Sequence, residues 1–241
     1  MDASIQLYSL RDSGANLRQQ LERVAKIGYK GVEFCGYEDI SANEMKALLA
    51  GHGLTPTGTH VGPDIFFGDI DGQIEYCAET GIKYLILPWA DLNRAEDIKK
   101  VAEILNSASE KAKKSGVVVG YHNHAHEFNK IGGEYILDLL FKSLEKDVIM
   151  QLDLYWIRLT GIDPVDYINK HADVCRSLHL KALLDVESKE NCDVGDGIID
   201  FKACIAAGKN AGADSFVVEQ EECRGSIWDS ITKSLNYLRT I

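Results

Sequence analysis

The amino-acid sequence predicts an α/β fold, a (β/α)₈ barrel, built from residues 1–241 as one domain. Three observations predict it. A phrase made of a helix-period segment, a Gly and a short apolar run recurs along the chain. Eight such apolar runs can be counted, near Ile5, Val32, Thr57, Leu85, Val119, Met150, Leu178 and Val217. The last four runs each end in a residue able to ligate a metal, which places a polar mouth where barrels of this kind carry their active sites.

The repeated phrase reads RVAKIGYKGVEF around Gly28, LLAGHGLTPTGTH around Gly53 and CAETGIKYLILP around Gly81. It returns as KAKKSGVVVGYH around Gly116 and AGKNAGADSFVVE around Gly212. A Gly just past a helix takes the left-handed conformation that ends it and turns the chain into the next strand. Helix starts are signalled too. Ser41-x-x-Glu44 and Ser226-x-x-Asp229 have capping-box spacing, Asp163-Pro164 puts an acceptor at N-cap and Pro at N1, and Asp200 precedes an apolar helix as its N-cap. Leu17, Leu21, Val24 and Ile27 form an apolar helix face. Short runs that are apolar throughout predict parallel strands buried on both faces. A doubly wound open sheet is the alternative; it sets polar strand ends at a switch point rather than around a ring.

Composition narrows the function. The chain is 45% hydrophobic, with four scattered prolines and no linker-like stretch. A net charge of −11 argues against a nucleic-acid partner, because neutralising phosphates takes clustered Lys and Arg. The densest basic stretch, Lys99 to Lys114, is interleaved with Glu103 and Glu110 and reads as a solvated helix face. Six cysteines show no close pairing, which fits a reducing compartment. With no apolar stretch long enough to span a bilayer, no membrane partner is expected and the cytoplasm is the expected location. A homo-oligomer is compatible with the sequence, which carries no signal for or against one. Gly195-Asp196-Gly197 lacks the third Gly and the preceding strand of a dinucleotide fingerprint, and neither a P-loop nor a nucleophile elbow is present.

The candidate site lies at the strand ends VVVGYHNHAHEF (Val117 to Phe128), VIMQLDLYW (Val148 to Trp156), VCRSLHLK (Val174 to Lys181) and SFVVEQE (Ser215 to Glu221). Taken singly, Asp153 also reads as a helix N-cap, His179 as a core histidine and Glu219 as half of an ion pair. Jointly each of those readings needs its own partner, whereas one cation satisfies all three. Carboxylate and imidazole converging on a point suit a divalent ion, and the mixed donor set suits Mn, Mg, Co or Zn. The fifth run adds His122, His124 and, just past its end, Glu127. Lys181 is the main cation at these strand ends, and Glu221 follows Glu219 at a spacing of two. Earlier strands end in Glu33, His60 and Trp89, expected as substrate contacts, acid–base groups or, with Trp156, aromatic walls of the pocket.

At these residues the chain resembles the sugar phosphate isomerase/epimerase superfamily of xylose isomerase-like TIM barrels. The likeness runs from GYKGVEF through YHNHAHEF, QLDLYW and HLK to GDGIIDF and VVEQE. It implies one divalent ion held by Glu, Asp, His and Glu from strands five to eight, and Asp153, His179 and Glu219 match the last three. Many relatives carry Glu-Asn-His at the fifth strand, where this chain has His122-Asn123-His124. The fourth ligand is therefore expected to be Glu127, with His122 as the alternative. The YHNH form is similar to the inosose dehydratase-like and keto-sugar-processing branch.

The resemblance implies an enzyme acting on a small keto- or aldo-sugar or a cyclitol through a metal-stabilised enediolate, an isomerase or epimerase. Glu219 is the expected base, His122, His124 or Glu127 the group that returns the proton, and Lys181 a donor to substrate oxygen. Because the strand-five Glu is replaced, a dehydratase or lyase of a keto-sugar or inosose is the first alternative. A non-catalytic carbohydrate-binding barrel and an endonuclease IV-like metallonuclease are the others.

Overall fold

All eight runs read as strands form one closed barrel in the computed structural model, which describes residues 1–241. The barrel strands are β1 (Ser4–Gln6), β2 (Gly31–Phe34), β3 (Thr55–His60), β4 (Tyr84–Leu87), β5 (Val118–His122), β6 (Ile149–Asp153), β7 (Cys175–Leu180) and β8 (Ser215–Val218). Each pairs in parallel with the next, and β8 closes on β1. The open-sheet alternative is excluded by that closure. Helices fill the crossovers, among them α1 (Leu17–Ile27), α2 (Ala42–His52) and the long Ala95–Lys113. Two short hairpins, Lys130–Ile131 with Glu134–Tyr135 and Ala182–Leu183 with Asn191–Cys192, decorate the loops after β5 and β7. No helix is long and apolar enough to cross a membrane.

Most helix ends follow the sequence signals. Gly28, Gly53, Gly81 and Gly212 cap their helices in the left-handed conformation. Asp163 and Asp200 accept backbone N–H bonds as N-caps. Two expected capping boxes differ. Ser41 does cap α2, but the Glu44 carboxylate turns to Arg18 at 2.7 Å instead of closing the box. Ser226 precedes the last helix, Ile227–Leu238, without any side-chain cap bond.

The apolar core is divided by the barrel wall. A cluster of 63 buried residues packs strands against helices, whereas Tyr84, Ile86 and Ile149 form a separate apolar plug in the lumen. Above that plug the inward-facing positions turn polar: Gln6, Glu33, His122, Gln151, Ser177 and His179 are all buried. Alternation explains this, since residues two apart on a strand share a face. Register then sets neighbours side by side, Gln6 beside Glu33, His122 beside Gln151, and Asp153 beside His179.

Gly120 makes the plug possible. A Cβ there would lie 2.6 Å from Ile86 Cδ1, 2.8 Å from Ile149 Cδ1 and 2.9 Å from the Ile149 carbonyl oxygen. The carbonyl belongs to the paired strand and cannot retreat without moving β6. Gly120→Ala is expected to destabilise the protein by about 1–3 kcal/mol through overpacking. Urea unfolding measures this; an unchanged midpoint would show the lumen to be looser than described.

Candidate metal centre

His179 is the hub of the polar mouth. It is fully buried, with Nδ1 at 2.7 Å from Glu219 Oε2 and Nε2 at 2.6 Å from Glu33 Oε1. Burial alone opposes charge on the ring, but Glu33 and Glu219 outweigh it and raise its pKa to about 10. Burial likewise opposes ionisation of both carboxyls. The imidazolium nevertheless holds Glu33, with help from His60, well below the usual carboxylate range, and Glu219 down to about 2.

Beside this pair lie Asp153 and His122. The Asp153 Oδ1 accepts the Trp156 backbone N–H at 3.1 Å and so caps the helix Leu154–Leu159. Its Oδ2 is buried and has no hydrogen-bond partner, and stands 4.0 Å from His122 Nε2. Burial pushes the Asp153 carboxyl up to about 7, against the pull of Lys181. His122 is pushed far down, by burial and then by the charge of His179, and is neutral.

His122, Asp153, His179 and Glu219 each offer one ligand atom, and these atoms all lie within 4.8 Å of one another. Such a donor set fits a divalent cation. An orphaned carboxylate oxygen facing an imidazole nitrogen at 4.0 Å is a separation that two metal–ligand bonds of about 2.0–2.2 Å can span. His60 also approaches His122 and His179 closely enough to form a second, all-imidazole grouping.

Several site expectations are corrected. Glu127 is not in the converging set. A 3₁₀ turn over His126–Phe128 folds it back, so that one oxygen accepts the Tyr121 hydroxyl at 2.7 Å and the other the His124 backbone N–H at 2.8 Å. Of the two strand-five alternatives, it is His122 whose ring nitrogen converges with Asp153, His179 and Glu219. Glu33 does not reach the cavity surface, being wholly buried against His179 and His60. Lys181 is only 1% exposed; its ammonium faces Glu221 at 2.9 Å and lies over the Tyr155 and Trp156 rings at 4.9 and 4.6 Å. Trp156 packs against Lys181 and His124 and lies behind the pocket surface.

A cavity of about 380 Å³ opens onto the cluster. His60, His122, His124, Glu219 and Glu221 line it, with Trp89 on the rim at 46% exposed. Sequence reasoning missed Tyr8 and Cys35 on this surface, and Gln6, Gln151 and Ser177 beneath it. The buried three leave a faint signal. Each is a polar residue at an inward position of a strand, Gln151 two before Asp153 and Ser177 two before His179.

Fold and site together define a (β/α)₈ barrel with a His/Asp/Glu ligand cluster at its C-terminal mouth. The chain belongs to the xylose isomerase-like TIM barrel family, whose model matches residues 21–241. A sugar phosphate isomerase/epimerase from Parabacteroides distasonis ATCC 8503 is similar in structure, with a TM-score of 0.84 and 26% identity, over 99% of this chain and 93% of that one. A curated inosose dehydratase from Lacticaseibacillus casei is 24% identical over 163 residues, which are 59% of this chain and 54% of that protein. The chain thus spans about half the length of that relative. The IOLI protein, solved with a bound zinc atom, shares the fold at a TM-score of 0.75 and 17% identity, over 100% of this chain and 96% of that one.

The buried pair has a consequence for pH. A raised His179 pKa contributes stability that is whole below the unfolded value of about 6.5 and is lost as the pH rises through about 10. The depressed Glu219 describes the same pair from its acid side, with stability lost as the pH falls through about 2. In urea titrations of chelator-treated protein between pH 7 and 9, wild type is expected to lose stability more steeply than His179→Gln. The extra slope approaches about 1.4 kcal/mol per pH unit, one proton's worth. Parallel curves would remove the charged pair.

Proposed function

We propose that the protein is a divalent-metal-dependent enzyme of the sugar isomerase/epimerase kind. It removes the proton next to the carbonyl of a small keto- or aldo-sugar or a cyclitol. The observation that carries this reading is the convergence of His122, Asp153, His179 and Glu219 beside a polar cavity of sugar-like size. The likeness to a sugar phosphate isomerase/epimerase over nearly the whole chain supports it. His122, Asp153, His179 and Glu219 would hold the divalent ion, which would supply positive charge to polarise a substrate carbonyl and acidify the neighbouring C–H.

The residues of the chain do the rest. Glu219 is ionised at neutral pH and lines the cavity, so it is the base. His124 reaches the cavity as a neutral ring, since burial, assisted by the Lys181 charge, lowers its pKa to about 4. It can relay a proton, gaining one at one nitrogen as it gives one up from the other, so that the ring stays neutral. Lys181 stays charged: burial opposes this, but Glu219, Asp153 and Glu221 outweigh it. Its ammonium, buried behind the cavity surface, balances the acids of the site. Trp89 offers an apolar face at the rim for the C–H face of a sugar.

One observation favours elimination, a dehydratase or lyase outcome, as the second reading. Only Glu219 and Glu221 bring carboxylates to the cavity, and Glu221 is already paired with Lys181. Proton exchange between two glutamates on opposite faces lacks its second member, because Glu127 is tied down by Tyr121 and the His124 amide. Elimination needs one base and a proton delivered to the departing hydroxyl. Glu219 takes the C–H proton, and His124 relays a proton to the leaving oxygen while regaining one from solvent at its other nitrogen.

Incubating metal-loaded protein with candidate keto-sugars, aldo-sugars and inososes in deuterated water tests both readings. Exchange of one substrate C–H is expected, and Glu219→Gln should slow it about 10²- to 10⁴-fold. Turnover of a confirmed substrate that survives metal removal, verified by mass spectrometry, would sink the proposal. Saturable sugar binding without exchange would instead identify a carbohydrate-binding barrel.

A further inference from the structure

We infer that Gln151 is a positioning residue that fixes the tautomers of His60 and His122 and thereby turns a bare His122 Nε2 toward Asp153. This role deepens the metal reading of the site and takes its purpose from it. The tautomers themselves are a property of the metal-free protein.

One donor in this chain of contacts is fixed by covalent structure. The Tyr8 backbone N–H donates to Gln6 Oε1 at 3.0 Å, so the Gln6 amide nitrogen must be the atom facing Glu33 Oε1 at 2.8 Å. Glu33 therefore accepts there. The same oxygen also meets His179 Nε2 at 2.6 Å and His60 Nε2 at 3.2 Å. A buried carboxyl ringed by donors is an ionised acceptor at both oxygens.

Gln151 approaches the other oxygen, Glu33 Oε2, at 2.7 Å. Only its NH₂ end can face a carboxylate, and Ser177 Oγ takes the second N–H at 3.0 Å. The amide orientation is thus set by its surroundings. Gln151 Oε1 is left pointing at two imidazoles, His60 Nε2 at 2.7 Å and His122 Nδ1 at 3.1 Å. An amide oxygen only accepts, so both of those nitrogens carry hydrogen.

For His122 the consequence is specific. Gln151 draws the ring proton to Nδ1, and Nε2 has no acceptor within hydrogen-bond reach to hold a second one. The remaining lone pair is on Nε2, 4.0 Å from the Asp153 oxygen that has no donor of its own. Two buried acceptors facing each other repel unless a cation, or a proton on the carboxyl, joins them. Gln151 and Glu33 thus act behind the ligands, in the way that carboxylates and amides fix metal-binding histidines from the outer sphere.

The test uses metal-free protein carrying isotope-labelled histidine and long-range proton–nitrogen correlation spectra. His60 and His122 signals are assigned from those lost in His60→Gln and His122→Gln. The expected wild-type result is His60 protonated at Nε2 and His122 protonated at Nδ1. Titrated Zn²⁺ should then shift His122 Nε2 while the Nδ1 proton remains. Gln151→Met, similar in volume but without an amide, is expected to mix the His122 tautomers and weaken Zn²⁺ binding about 10- to 100-fold. A wild-type His122 protonated at Nε2 overturns the inference whatever the metal does. So does a folded Gln151→Met protein whose His122 keeps the Nδ1 proton. If that variant does not fold, the wild-type spectrum alone decides. The expected tautomers without Zn²⁺ binding leave the inference standing and remove the metal reading instead.

Discussion

A single carboxylate buried on the barrel axis governs the arrangement of the mouth. Taking a charge out of water costs several kcal/mol unless it is paired and hydrogen-bonded. Glu33 meets this requirement with groups from four other strands: Gln6 on β1, His60 on β3, Gln151 on β6 and His179 on β7. Gly58 makes room for it, since a Cβ there would lie 2.7 Å from Glu33 Oε2. Strands far apart in sequence are thereby tied at one point inside the lumen. The ligand atoms above inherit their positions from that knot.

Asp153 shows how few residues the site needs for its rigidity. One of its oxygens starts the helix that follows β6, and its backbone N–H is held by Asn123 Oδ1 at 3.0 Å. The other oxygen is thereby presented to His122, His179 and Glu219 without a flexible linker. The N-cap reading of Asp153 holds for one oxygen, and the other oxygen is left free for the ligand role proposed above. Ligation built on strand ends and a helix start is pre-organised, so little ordering remains to oppose binding.

The barrel was legible because parallel strands buried on both faces leave short apolar runs between glycines, and all eight runs fall inside observed strands. Asp153, His179 and Glu219 were legible because a strand end fixes where its last residue points. Glu127 was not. It lies beyond the strand, where a 3₁₀ turn rather than β alternation sets direction, and that turn carries it back to Tyr121. Glu33 was assigned to the right mouth but at the wrong depth, because the sequence does not show that Gln6 and Gln151 flank it from strands one and six. Gln151 itself looked like a stray polar residue in VIMQLDLYW. Its meaning lies wholly in partners at least 26 residues away, which no local pattern reveals.

The division of the core by the barrel wall bears on how such a chain can change over time. Nearly all the apolar burial lies between strands and helices, while the lumen keeps a small apolar plug beneath its polar groups. Substitutions at inward strand positions therefore remake chemistry with limited effect on the packing that keeps the chain folded. Substitutions outside the wall do the reverse. A replacement such as His for Glu at the end of β5 can redirect a reaction while the scaffold persists, so family membership constrains the shape of the molecule far more tightly than its choice of substrate.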